Sequence, residues 1–236
     1  MNLNDKNRLV NVPSNILMKI IFRVLLLFVL LDFLLFLTAG SFRYTEAWIY
    51  TFVLFVPALL VIGYFYLKDP DFIGSRILKR REKVQIHRSI QNFFSIVFLI
   101  GLLIPGFDFR FGWSNVPMSV VIISNSLVFL GYIIIARVME ENRYASSIIE
   151  ISKEQKIIET GPYKFVRHPM YTGGLIFILF TPLALGSYWA LIPFSISTVL
   201  ALILRIINEE KLLINNFPEY SEYCQKTKYR LIPFLW

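Results

Sequence analysis

Cysteine is nearly absent from this chain. Cys224 is the single thiol in 236 residues, so an intramolecular disulfide is excluded, and its position does not form a C-terminal prenylation box. Histidine is almost as scarce. His87 and His168 stand far apart with no neighbouring ligand pattern, so no metal site is expected. Charge is sparse too, at 17% of residues against about 25% in soluble domains. No Gly-x-Gly-x-x-Gly fingerprint is present, so a Rossmann-type dinucleotide site is not expected. There is no internal repeat, low-complexity segment or organellar targeting signal.

What is abundant is apolar surface: 56% of residues are hydrophobic and the mean hydropathy is +0.60. Several runs approach the roughly 20 residues that cross a bilayer. Spans are expected at about Ile16–Ala39, Glu46–Leu67, Ile90–Pro105 (reaching towards Phe107), Met118–Met139, Met170–Leu185 and Tyr188–Ile207. The expected fold is all-α, a polytopic integral membrane protein of about six transmembrane helices. The first run ends in Leu37-Thr38-Ala39-Gly40-Ser41, faintly like a signal-peptidase site. Its core exceeds the roughly 7–15 residues of a cleaved signal, so a retained helix is expected. Only Gly186 and Ser187 separate the last two runs, which predicts a tight C-terminal helical hairpin. Its first arm, at roughly 24 Å, is short for a hydrocarbon core of about 30 Å.

The net charge of +8 does not point to nucleic acid, because the cations sit between apolar runs. Lys68, Arg76, Lys79, Arg80, Arg81, Lys83 and Arg88 fill one loop. Arg137, Arg143, Lys153, Lys156, Lys164 and Arg167 fill the next, and Lys211, Lys226, Lys228 and Arg230 follow the hairpin. The alternate loops hold little beyond Arg43 and Arg110. The positive-inside rule then puts both termini in the cytoplasm, with anionic lipid headgroups facing the cations. Pro70–Arg88 mixes basic and apolar residues as an interfacial helix does.

The densest cluster of unusual residues is Thr160–Gly174, which holds Gly161-Pro162-Tyr163 and Arg167-His168-Pro169-Met170-Tyr171 at the mouth of an apolar run. Each piece has a bland reading. Gly-Pro makes a turn, proline opens a helix, and tyrosines sit at the interface. Their coincidence within one short segment reads as a site. Further on, Arg205, Asn208, Glu209 and Leu212 fall on one helix face. There an arginine could meet an anionic ligand, or snorkel to headgroups with Glu209 as its partner. The tail from Phe217 to Lys226 alternates aromatics and charges, and could cover a ligand or lie on the bilayer. Asp32, Ser124, Asn125 and Ser126 lie within spans and read as interhelical hydrogen-bonding groups.

Taken in order, Gly161-Pro162-Tyr163, Arg167-His168-Pro169-x-Tyr171-x-Gly173, the hairpin, Arg205-x-x-x-Glu209-Glu210 and Tyr220-x-x-Tyr223 resemble the isoprenylcysteine carboxyl methyltransferase family. The wider group includes phospholipid N-methyltransferases and methanethiol S-methyltransferases. Glu140-Glu141-Asn142-Arg143-Tyr144-Ala145-Ser146 and the first four spans look like a bacterial branch. The resemblance covers about residues 137–236, which would form a methyltransferase catalytic region behind N-terminal helices and loop (1–136). It implies S-adenosylmethionine as methyl donor, bound at the cytoplasmic face. The implied donor contacts are Gln155, Lys156, Ile157, Ile158, Tyr163, His168, Pro169, Met170, Tyr171 and Glu209. Arg205 is implied as the acceptor contact and, with His168, as a catalytic residue.

A carboxylate acceptor needs no general base, and Arg205 could orient it. A thiol or amine must lose a proton, with only His168 or Glu210 in view as base. The expected activity is therefore methyl transfer to a lipid-like or isoprenyl-type carboxylate, in a bacterial inner membrane. Its partners would be the bilayer and an amphiphilic acceptor, with no nucleic acid or metal. The alternatives are a small-thiol S-methyltransferase or phospholipid N-methyltransferase on the same scaffold, an NADPH-dependent membrane reductase, and a non-catalytic scaffold.

Overall fold

In the computed structural model, residues 15–69, 85–142 and 157–236 are described. Among them there are helices and no strands. The long helices are α1 (Asn15–Ala39), α2 (Thr45–Lys68), α3 (Gln85–Gly101), α4 (Leu103–Phe111), α5 (Met118–Glu141), α6 (Pro169–Ala184) and α7 (Leu191–Asn216). A 3-10 turn, Gly161–Lys164, precedes α6, and a short helix, α8 (Glu219–Lys226), follows α7. The segment Pro70–Val84, and with it most of the expected interfacial helix, lies outside the described residues.

Five stretches are long and apolar enough to cross a membrane: Leu17–Ala39, Thr45–Lys68, Phe94–Phe111, Met118–Glu141 and Leu191–Asn216. The sixth expected span, α6, is shorter at 16 residues. Large apolar side chains such as Leu27, Phe33, Phe52 and Leu60 point outward, each about two-thirds exposed. So broad an apolar exterior would aggregate in water and is at home in lipid. The chain is a polytopic α-helical membrane protein.

Two expected boundaries shift. The third span runs on to Phe111 as two helices, α3 and α4, with a break at Leu102. Pro105 has no N–H to give the carbonyl of Gly101, so the helix reopens there. The hairpin turn is wider than Gly186-Ser187, and α7 begins only at Leu191. Gly186 takes φ +72°, and the Ser187 hydroxyl accepts from Ala190 N–H at 3.2 Å. These bends hold Tyr188–Ala190 out of the helix.

The close packing of α6 is with α5 rather than with its hairpin partner. A Cβ on Gly131 would lie 2.8 Å from the carbonyl oxygen of Gly173, and one on Gly173 would lie 2.9 Å from Ile135. Only glycine lets the two backbones approach this closely, as small-residue interfaces do in membranes. Gly106 meets Thr38 of α1 in the same way, and Gly101 meets Phe194 of α7.

Polar groups tie the end of the bundle that carries the hairpin turn. Buried Asp108 accepts from Ser114 N–H at 2.6 Å, from the Ser114 hydroxyl at 2.7 Å and from the Ser187 hydroxyl. Tyr44 donates to the carbonyl of Leu185. Asp32 accepts from Thr51 at 2.9 Å, an α1–α2 bond, and Asn125 Nδ2 donates to the carbonyl of Ala184 at 3.3 Å. Ser126 instead bonds its own helix at Ile122. At about 39 Å, α7 outruns the hydrocarbon core, so its last turns carry Glu209 and Glu210 into the polar zone at the opposite end.

Candidate active site

The site starts from a turn. Thr160 is extended, Gly161 opens the 3-10 turn at φ +56° and Pro162 follows as its second residue, so Tyr163 N–H reaches the carbonyl of Thr160 at 3.1 Å. The end of α5 holds this turn in place. Glu141 accepts from the Thr160 hydroxyl, and Asn142 Nδ2 donates to the Tyr163 phenol at 2.8 Å. A Cβ at Gly161 would lie 2.8 Å from the Glu141 carboxyl, so glycine is required there by contact as well as by φ.

The tail then folds back over the turn. Arg167 and His168 each donate a backbone N–H at 2.9 Å, to the carbonyls of Tyr229 and Arg230. Thr172 donates to the carbonyl of Leu231 at 2.7 Å, and Tyr223 donates to the carbonyl of Tyr163 at 2.8 Å. Tyr220 and Tyr223 are both buried. Burial pushes the Tyr223 phenol above its ordinary pKa, so the hydroxyl stays a donor. The tail is part of the site's wall rather than a strip lying on the bilayer.

At the centre of this wall is Glu210. Its carboxylate accepts from Arg167 Nε at 2.7 Å and from Arg230 Nε at 2.7 Å, with His168 Nε2 at 3.3 Å. Glu210 is 5% exposed and His168 is also 5% exposed. An ionised carboxylate can only accept, so His168 Nε2 carries the hydrogen. Arg167 also holds the carbonyls of Thr227 and Lys228, at 3.2 and 3.3 Å. A base role for Glu210 is thereby removed, since it is committed to two guanidinium groups.

Beside this hub, Tyr171 joins the two residues that sequence spacing put on one face. Its phenol donates to Glu209 Oε2 at 2.5 Å and accepts from Arg205 Nε at 2.6 Å. The Arg205 guanidinium also lies 5.5 Å from the Tyr171 ring centroid, and the His168 ring stacks on Tyr171 at 5.6 Å and 17°. Glu209 Oε1 has no hydrogen-bond partner among the described residues. The result is a polar relay, Arg205–Tyr171–Glu209, with an open carboxylate oxygen at one end and a cation at the other.

Tyr163, His168, Pro169, Tyr171, Arg205 and Glu209 therefore converge at one end of the bundle. Met170 lies half-buried in the first turn of α6. Ile157 and Ile158 run half-buried into the turn. Gln155 and Lys156 lie outside the described residues. Sequence reasoning missed Glu210 as the hub, together with Arg167 and Arg230 as its partners. The available signal was the pair of arginines flanking His168 and Leu231.

A groove of about 420 Å³ opens between α2 and α5, lined by Leu60, Val61, Phe129, Ile133 and Ala136. Its polar rim is Tyr64, Arg137 and Glu140. Lys68 and Arg137 reach Glu140 at 3.1 and 3.2 Å. Glu140 stands beside Glu141 and Asn142, the residues that hold the turn.

This helical membrane scaffold, with its ionic hub and relay, includes a region similar to membrane methyltransferases. Residues 114–220 match the model of the family described as phospholipid methyltransferase. Among relatives, the chain is 33% identical over 76 residues to protein-S-isoprenylcysteine O-methyltransferase of Schizosaccharomyces pombe, covering 32% of each. It is 28% identical over 109 residues to the nickel-cobalt-cadmium resistance protein NccN of Alcaligenes xylosoxydans xylosoxydans. It is 27% identical over 111 residues to the cobalt-zinc-cadmium resistance protein CzcN of Cupriavidus metallidurans. These two alignments each cover 44% of this chain, and the chain spans 49% of either resistance protein.

Proposed function

We propose that this protein is an S-adenosylmethionine-dependent methyltransferase whose acceptor is a lipid-like molecule presented from the bilayer. The observation that carries the reading is the relay Arg205–Tyr171–Glu209, closed by bonds of 2.6 and 2.5 Å and flanked by His168. The donor set suits the methyl donor: Glu209 Oε1 can accept from a ribose hydroxyl or the ammonium, and the aromatic faces of Tyr171 and His168 suit a cation. When bound, S-adenosylmethionine supplies an electrophilic methyl group, whose bond to sulfur breaks as an acceptor lone pair attacks the carbon. The chain's own part is positioning. Arg205 holds an anionic acceptor, Tyr171 fixes Arg205 relative to Glu209, and the Glu210 hub locks His168 and the tail around them.

A carboxylate acceptor fits best, because Arg205 is a cation and Glu210 is already engaged, leaving no free carboxylate base beside the relay except Glu209. The apolar groove between α2 and α5 gives a bilayer-side seat for a long chain and ends beside the turn. The family match favours a second reading, N-methylation of a phospholipid amine. The names of the two bacterial relatives supply metal resistance as a physiological context, while among the described residues no three His, Cys, Asp or Glu converge on a metal-sized site. The positive-inside rule supports a site at the cytoplasmic face, and a composition rich in Ile, Leu, Phe, Lys and Asn suits a bacterial inner membrane.

The test is incubation of membranes containing the protein with methyl-labelled S-adenosylmethionine, followed by extraction of the labelled product. Label released as methanol by mild base identifies a carboxyl ester, and base-stable label in a phospholipid headgroup identifies the second reading. Purified protein that neither binds the donor nor transfers label would overturn both. Donor binding competed by NADPH would instead favour a reductase.

A further inference from the structure

Native proteins rarely leave a buried polar atom without a partner, and each exception calls for a water or ligand to complete it. Among the described residues two such side-chain atoms occur, Asn125 Oδ1 and the Tyr220 hydroxyl. Asn125 lies deep in α5 and already uses its Nδ2 to bridge helices. Tyr220 is different, because it lies in the wall of the candidate site. Its side chain is 3% exposed and packs against Tyr223 with ring centroids 5.7 Å apart. Tyr223 spends its own hydroxyl on the carbonyl of Tyr163, so these tyrosines, one turn apart on α8, have opposite situations.

The surroundings of the Tyr220 hydroxyl are chemically specific. Tyr220 packs on Tyr223, whose hydroxyl holds the Tyr163 carbonyl of the turn, so it lies at the end of the bundle that carries Glu209 and Glu210, with Cys224 one turn further along α8. The Cys224 thiol interacts with it without reaching hydrogen-bond geometry, and sulfur is a weak partner in any case. Glu210 has its oxygens on Arg167 and Arg230. Glu209 holds Tyr171 with Oε2 and leaves Oε1 open. An orphan phenol in the tail helix and an open carboxylate oxygen on α7 are therefore presented at the same end of the bundle, both beside the elements that form the turn. Together they suit a group that offers hydrogens and tolerates adjacent negative charge, which is the chemistry of a ribose hydroxyl or an ammonium.

We infer that the Tyr220 hydroxyl is a donor-binding group, completing with Glu209 the polar contacts to the bound methyl donor. This rests on the methyltransferase reading above. It assigns the tail helix a direct part in ligand binding, beyond covering the turn.

The experiment compares Tyr220→Phe and Tyr223→Phe with the full-length wild type in detergent. Each is measured for thermal stability without ligand and for affinity towards S-adenosylhomocysteine, the demethylated donor, by titration calorimetry. Removing an unpartnered buried hydroxyl relieves a desolvation penalty, so Tyr220→Phe should melt at the wild-type temperature or above it without ligand. Its affinity should nevertheless fall about three- to tenfold, the loss expected for one neutral hydrogen bond. Tyr223→Phe should show a lowered ligand-free melting temperature. Unchanged affinity in Tyr220→Phe would overturn the inference while leaving the methyltransferase intact. So would a lowered ligand-free melting temperature in that variant, because it would mean the hydroxyl is already bonded within the protein. Absence of binding by the wild type would overturn the donor assignment itself and this inference with it.

Discussion

Removing the Glu210 carboxylate would leave two guanidinium groups and an imidazole crowded together without their shared anion. Breaking one partner out of a buried ionic cluster costs about 3–5 kcal/mol, because the remaining charges stay desolvated. Arg230 is 37% exposed and can relax into solvent, so the lower end of that range applies. Glu210→Ala should therefore lower the melting temperature sharply and loosen the tail, read as faster proteolysis beyond residue 216. The neighbouring carboxylate should behave otherwise. Glu209 has one oxygen on Tyr171 and the other open, so Glu209→Gln should leave the fold stable. It should weaken binding of the methyl donor by about tenfold to a hundredfold, the scale of a charge-assisted hydrogen bond. Arg205→Ala should spare donor affinity and reduce acceptor turnover by a similar factor. Titration of donor binding and single-turnover transfer separate the two, and a Glu209→Gln protein with wild-type donor affinity would remove Glu209 from the site.

At the scale of elements, α6 reaches its place because glycines let it lie against α5. Gly173→Val should cost about 1–3 kcal/mol, as overpacking does, since its branch would meet Ile135 and the Gly131 carbonyl. Gly174→Ala makes the contrast. No atom lies within 4 Å of its added Cβ, and alanine favours helix over glycine by up to about 1 kcal/mol. Melting in detergent should fall for the first and hold or rise for the second. This also explains how far the sequence could be read. Spans and the Pro169 helix start were legible because hydropathy and proline chemistry act locally. So was the face shared by Arg205 and Glu209, since i, i+4 spacing fixes it. The pairing of α6 with α5 was hidden, because Gly173 looked like a loop-to-helix residue until Gly131 stood opposite. The role of Glu210 was hidden for a similar reason. Its partners Arg167 and Arg230 lie far along the chain, and no local spacing on α7 pairs Glu210 with either of them.

For the whole molecule, the site end and the hairpin-turn end must face opposite sides of the membrane, because five spans of sufficient length lie between them. Charge decides which is inside. Arg137, Arg167, Lys211, Lys226, Lys228 and Arg230 gather at the site end, against Arg43 and Arg110 at the other. On the positive-inside rule we propose that the site end faces the cytoplasm. Single-cysteine labelling tests this, and the scarcity of cysteine makes it clean, since Cys224→Ser alone empties the chain of thiols. Cys224 is itself a poor probe, because burial raises its thiol pKa and the thiolate is the reactive form. On the cysteine-free background, Phe42→Cys places a thiol at an exposed position of the α1–α2 loop. Gln225→Cys places one on the exposed side of α8. A membrane-impermeant maleimide added to intact cells should label the former and reach the latter only after permeabilisation. The reverse pattern would put the site outside, away from a cytoplasmic supply of the methyl donor, and would count against the methyltransferase assignment as well as the orientation.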